Sequence, residues 1–488
     1  MRTQRWIVIV GATALVMYAG FLFRNLSYAV GGPDTGGYFN EAKMITEGRL
    51  TRPVVLVREL GLDDSWLGFF MPLGFAPSPH ASMHPTYPAG LPFHLALAAS
   101  IGGWRHAPYY VAPLAAIGCA ILMFAVGRQC GLSPLSSIAA AAALVTLPPF
   151  LWHAVQPASD VVATFWALAA MWCALESVER PSLAFAAGAA FAIGVWVRPT
   201  NLLLGVAFVI ALRFRIALLA RVTVAALPFA IALMWWNSRL YGSAVRTGYG
   251  GFFDQVSWAG MLHAAPLHAE WLMRMLTPLA FPIGLLVVFD RMVEKSMRWM
   301  LMSWFGVFFV FYSFYGFFDG WLCIRFLLPA IPALMIGTLL IVRDAYRWSA
   351  PRYPRVAAVI AVALTLFICA APARSTYDLN VVPALSQMEK PYPRLVRWAE
   401  WQLPRRAIVI TGVLSGPFTY FSDRGIARCD QLNDDRFQLL RAYAANVGLP
   451  WYAVVADDEI ENTTFLGRFR GNWVVISQMD NFTLYRLD

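Results

Sequence analysis

Met1-Arg2-Thr3-Gln4-Arg5, the apolar run Trp6 to Phe23, then Gly31-Gly32-Pro33-Asp34-Thr35-Gly36-Gly37-Tyr38: this order sets the topology of the chain. A basic N-terminus ahead of an apolar run reads as a retained signal anchor with its N-terminus in the cytoplasm. Asp34 then emerges on the far side, in a glycine-rich turn at the membrane surface. A carboxylate there is costly unless water, a metal or a substrate meets it, so Asp34 is the first catalytic candidate. The competing reading is an Asp that caps a helix starting near Tyr38.

Working outward, 59% of the 488 residues are hydrophobic and 14% are charged, and the mean hydropathy is +0.57. Long apolar runs recur from Trp6 to Pro372. This is the composition of a polytopic helical membrane protein. The net charge of +10 sits in short loops between those runs, where it is a topology signal and no argument for nucleic acid. The six cysteines form neither a disulfide framework nor a zinc spacing.

If Tyr87 to Gly103 lies in the interface as a juxtamembrane helix, then Arg128, Arg180, Arg213, Arg291, Arg343 and their basic neighbours all fall inside. If it crosses, they all fall outside, against the positive-inside rule. The expectation is about eleven spans, with Leu202 to Leu212 short enough to be tilted or broken. The outer loops become the first loop (24–108), Gln156 to Asp160, Arg198 to Asn201, Asn237 to Glu270, Asp319 to Arg325, and everything after Pro372. That tail has ordinary globular patterning. Strands are expected at Ala407 to Thr411, Tyr452 to Val455, Trp473 to Ser477 and Thr483 to Leu487, with helices at Leu395 to Leu403 and Asp435 to Val447. The chain therefore divides into a membrane domain, 1–373, and a small C-terminal α/β domain, 374–488, in the cell (inner or plasma) membrane with the small domain extracytoplasmic.

These outer loops hold nearly all the polar residues that are hard to explain structurally. Asp160 is either an N-cap or a second cavity carboxylate. His84 can donate to a phosphate or simply be solvated. Arg198 and Arg325 stand on the minority side for basic residues. There they either snorkel or bind a lipid phosphate through the planar guanidinium. The glycine and aromatic stretch Thr247 to Phe253, including Tyr249, suits a lid or an aromatic belt.

Asp34-Thr35-x-x-Tyr38-x-x-x-Ala42, His84-Pro85-x-Tyr87-Pro88, Ser159-Asp160, Arg198-Pro199-x-Asn201, Asn237-x-x-x-Tyr241-Gly242-Ser243 and Arg325-Phe326-x-x-Pro329 occur in this order. Together they resemble the type C (GT-C) glycosyltransferases, nearest to bacterial relatives of protein O-mannosyltransferases and lipid A aminoarabinose transferases. The resemblance implies a polyprenyl-phosphate-linked sugar donor and an acceptor on the outer face: a glycan, a lipid or a protein. It implies Asp34 as the first-loop carboxylate that acts as base or binds a divalent metal, Asp160 as the second acidic residue, and Tyr38, His84, Arg198, Asn201, Asn237, Tyr249 and Arg325 around the substrates. Thr35 stands where many members have a second acidic residue, which leaves metal use open. A lipid-linked sugar transporter or flippase, and a glycan polymerase or ligase, are the alternative functions. Transporters tend to carry internal repeats and mid-membrane charges; here the unusual polar residues gather on one face.

Overall fold

The computed structural model describes residues 2–251, 256–315, 320–388, 390–457 and 469–488. Phe252, Phe253 and Asp319 of the expected outer loops lie outside them.

Among the described residues, four helices are long and apolar enough to cross a bilayer: Ala107–Gln129, Ser159–Glu176, Ile216–Tyr241 and Pro354–Ala384. Three further apolar stretches are bent pairs. Pro134–Val145 meets Pro148–Ala154 at 70°, Gly260–Ala280 meets Ile283–Phe289 at 59°, and Trp321–Leu327 meets Ile331–Ser349 at 87°. Proline sits at or beside each break (Pro148, Pro282, Pro329), where it lacks the N–H that would continue the helix. Leu202 to Leu212 is broken as well, into a 3₁₀ turn Pro199–Leu204 and a helix Gly205–Ala211. The chain is thus a helical membrane protein.

The helix in the Tyr87 to Gly103 stretch runs Gly90–Gly102, 13 residues. At about 1.5 Å per residue it is well short of a hydrocarbon core of roughly 30 Å. Two expectations are corrected in the Asn237 to Glu270 loop: helix Ile216–Tyr241 runs into it, and helix Trp258–Ala280 takes its last third.

Helix ends sort into two groups. At one end, Arg213 pairs with Glu294 at 2.9 Å, Arg215 donates to the Val178 carbonyl at 3.0 Å and Arg343 to the Gly131 carbonyl at 2.9 Å. At the other end lie Asp34, Asp160, Arg198, Asn237 and Arg325, around one cavity.

Two sheets stand beyond the helices. In the first loop, β1 (Arg52–Pro53), β2 (Phe75–Ser78) and β3 (Ser82–Pro85) form an antiparallel sheet in the order β1-β3-β2. In the tail, β4 (Ile408–Thr411), β5 (Gly425–Arg428), β6 (Trp451–Ala456), β7 (Trp473–Met479) and β8 (Phe482–Leu487) form a sheet in the order β5-β4-β6-β8-β7. β4 is parallel to both neighbours and β8 antiparallel to both of its own. β5 and the helix Ser415–Phe421 add to the expected elements.

Strand alternation decides what this sheet packs on. Ile408 and Ile410 of β4 face a core completed by Leu56, Val57, Leu67, Phe69 and Phe75 of the first loop. Val409 faces the other way, onto Leu395, Ala399 and Phe418. The first loop and the C-terminal sheet therefore share one hydrophobic core. Helix Pro354–Asp378 runs through position 373/374, where the sequence suggested the division.

Candidate active site

Helix Pro33–Thr46 begins earlier than expected, because Gly32 turns the chain at φ 53 and Pro33 occupies the first helical position. Asp34 makes no capping hydrogen bond. Its Oδ1 accepts from the Tyr87 hydroxyl at 3.0 Å, and its Oδ2 stands 3.1 Å from Arg325 Nη1. Gly37 makes room for this: a Cβ there would lie 2.3 Å from the Tyr87 ring. Burial, and then the Asp34 charge, push the Tyr87 phenol well above its ordinary range, so it remains a proton donor to the carboxylate.

Asp160 lies in the first turn of helix Ser159–Glu176, where no side chain caps the helix. It is buried and ion-paired with Arg198 Nη1 at 2.8 Å, with His153 Nε2 at 3.6 Å. Arg198 ends helix Leu183–Val197 just before Pro199, and Arg325 lies in the 3₁₀ turn Trp321–Leu327. Both guanidinium groups lie over the Phe326 ring, at 5.2 and 4.9 Å from its centroid. The two cations, each matched by a carboxylate, are thus held side by side from helices far apart in sequence.

The cavity between them has a volume of about 770 Å³. Asp34, Tyr38, Asp160, Arg198, Asn237, Tyr249 and Arg325 line it. Tyr38 donates to Ser159 Oγ at 3.0 Å, and burial followed by the Asp34 charge raises its phenol. Away from the charged end the wall is apolar. It follows one stripe of helix Ile216–Tyr241, Ala226, Phe229, Ala230 and Leu233, at helical spacing, and Asn237 continues that stripe as a polar residue.

Two expected site residues lie elsewhere. Asn201 is buried and its amide donates to the Ala163 carbonyl at 3.0 Å, tying two helices together. The His84 ring packs edge-on against Tyr241 at 5.4 Å and is not among the residues that line the cavity. Asn237 lines the cavity but gives its amide to the Ala244 carbonyl at 3.3 Å. Sequence reasoning gave no role to Tyr87 or His153. Tyr87 carried a signal, as the tyrosine between Pro85 and Pro88; His153, inside an apolar run, carried none.

Among the described residues, no three His, Cys, Asp or Glu side chains form a metal-binding group. The Asp34 oxygens face Tyr87 and Arg325, and those of Asp160 face Arg198 and His153. Among the described residues, these pairings do not fit a divalent cation.

The chain is similar in structure to ArnT from Cupriavidus metallidurans in the apo state, with a TM-score of 0.62 and 14% identity over 100% of this chain and 98% of that one. The same enzyme bound to undecaprenyl phosphate gives 0.60 and 13%, over 98% and 97%. The oligosaccharyltransferase AglB from Archaeoglobus fulgidus, in complex with an inhibitory peptide and a dolichol-phosphate, gives 0.57 and 13%, over 98% of this chain and 74% of that one. No family profile and no curated protein sequence matches the chain. The chain thus shares its fold with ArnT and with this oligosaccharyltransferase, as the sequence resemblance implied.

Proposed function

We propose that this chain is a membrane glycosyltransferase that moves a sugar from a polyprenyl-phosphate donor to an acceptor hydroxyl on the extracytoplasmic face. One observation carries the reading: a single cavity joins an apolar groove along helix Ile216–Tyr241 to a charged end with two arginines and two carboxylates. That is the shape of a ligand with an isoprenoid tail and a phosphate head. The binding of undecaprenyl phosphate by ArnT and of dolichol-phosphate by AglB supports it.

In the proposed reaction, the donor enters laterally and its phosphate competes with Asp34 for Arg325. Arg325 and Arg198 stabilise the charge that grows on the leaving phosphate. Asp34, released from Arg325 and held by Tyr87, takes the proton of the acceptor hydroxyl as that oxygen attacks the anomeric carbon. The bond from that carbon to the phosphate oxygen breaks, the lipid phosphate departs, and direct displacement inverts the centre. Asp160 keeps Arg198 in place. The proposed topology has about eleven spans, a cytoplasmic N-terminus and an extracytoplasmic C-terminal region in the inner or plasma membrane. The grouping of the cavity residues at one set of helix ends supports it.

The test is transfer in membranes containing the protein, with radiolabelled polyprenyl-phosphate sugars and wild type beside Asp34→Asn. Asp34-dependent label in a new acceptor is expected. Label that crosses the bilayer still on its lipid would replace this reading with a transporter.

A further inference from the structure

Helix Pro33–Thr46 has 14 residues, a length that is marginal for an isolated helix in water. Something else must fix its first turn. On the side of Asp34 it meets Arg325 and Tyr87. On another side it meets the C-terminal helix Ser415–Phe421, more than 370 residues later in the chain. The two backbones touch at paired glycines: a Cβ on Gly36 would stand 3.0 Å from Gly416 Cα, and one on Gly416 would stand 3.1 Å from Gly36 Cα. The buried Asn40 side chain bridges them, its amide donating to the Gly36 carbonyl at 2.8 Å and to the Gly416 carbonyl at 3.0 Å.

The contact continues on both sides. Ser415 Oγ accepts from the Leu73 backbone N–H at 3.2 Å. Lys43 Nζ donates to the Tyr420 carbonyl at 2.9 Å, with its ammonium 3.7 Å from the centroid of the Tyr420 ring. Helix Ser415–Phe421 is itself immobilised by Leu414 and Phe418 in the core behind β4.

We propose that the C-terminal region is the positioning element of the catalytic carboxylate. Gly416 and Asn40 act as positioning residues that fix the first turn of helix Pro33–Thr46, and so set where Asp34 meets the acceptor. This rests on the reading of Asp34 as the base. The chemistry makes such a device worthwhile, because a displacement of about 1 Å at a reacting group can cost roughly 10²-fold in rate. A methyl group at position 416 needs only a few tenths of an ångström of relief.

The experiment uses the full chain in detergent or membranes, with Gly416→Ala and Asn40→Ser. The first adds bulk at the contact; the second removes the bridge without adding volume. Val475→Ala, on an exposed strand position, is the control. Hydrogen exchange of the peptide spanning 33–46 gives an arm independent of activity. Both variants are expected to exchange faster there, to lose about tenfold in kcat and to keep donor KM within about twofold, while the control matches wild type. Unchanged exchange overturns the proposal, and so does faster exchange with unchanged kcat. A wild-type protein with no transfer at all sinks the glycosyltransferase reading instead, and leaves the exchange arm to decide whether the contact holds the helix.

Discussion

Arg325 and Asp34, 291 residues apart in the chain, meet at 3.1 Å between Nη1 and Oδ2 across the charged end of the cavity. Both are partly open to solvent, at 21% and 42% exposure of the side chains, unlike Arg198 and Asp160 at 12% and 3%. The two ion pairs look alike in a contact map and differ in what they can do. The open pair can exchange partners with a ligand, and the closed pair holds its place.

Arg325→Lys tests the open pair. Lysine keeps the charge but not the planar fork that matches a phosphate. A rise of about tenfold in donor KM is expected, equivalent to roughly 1.4 kcal/mol, with little change in thermal stability. Steady-state kinetics over a donor series checks it, and an unaltered KM would remove Arg325 from the phosphate site.

Arg198→Ala tests the closed pair. Removing one partner of a buried pair leaves an uncompensated charge and costs about 3–5 kcal/mol. The double variant Arg198→Ala/Asp160→Asn should regain most of that stability, since no charge is then stranded. Thermal unfolding of the single and double variants decides it, and additive losses would rule the pairing out.

Tyr87→Phe removes one hydrogen bond to Asp34 and keeps the ring that Gly37 accommodates. A hydrogen bond to a charged group contributes about 1.5–3 kcal/mol. A fall in kcat of at least about tenfold is therefore expected, with normal expression. An unchanged kcat would mean that Tyr87 does not orient Asp34 for proton transfer.

Glu41 lies two turns along the Asp34 face of the same helix, fully buried, with no hydrogen bond to either carboxyl oxygen among the described residues. Burial raises its carboxyl well above the ordinary value of 4.5. The folded state therefore holds this proton to higher pH than the unfolded chain does. The sign follows: this contribution to stability is full below about 4.5 and is lost as pH rises toward the folded value. Glu41→Gln should flatten that decline, which thermal unfolding of both proteins from pH 4 to pH 9 would measure. Parallel curves would show that Glu41 does not titrate in this window.

Much of the candidate site was legible from composition and position alone. Asp34, Asp160, Arg198 and Arg325 stood out because charge is expensive beside apolar spans, so each needed a reason to be there. Both aspartates remained equally readable as helix caps. Only the side-chain directions separated the two readings, since neither makes a capping bond and each reaches an arginine. For His84 and Asn201 the neighbours in sequence did not show the contacts made in space: His84 packs on the Tyr241 ring and Asn201 turns inward to a carbonyl.

What the sequence determined by itself was the class of the molecule. Apolar runs must lie in lipid, basic loops resist crossing, and a tail with period-two strands must fold outside the bilayer. Only the tertiary structure decided that the tail and the first loop are one body. Ile408 and Ile410 share a core with Leu56 and Phe75, and Gly416 lies against Gly36. Those contacts join residues more than 300 positions apart, and no periodicity along the chain records a contact at that distance. The close approach of two glycines depends on the absence of side chains, which leaves no hydrophobic or charge pattern to read.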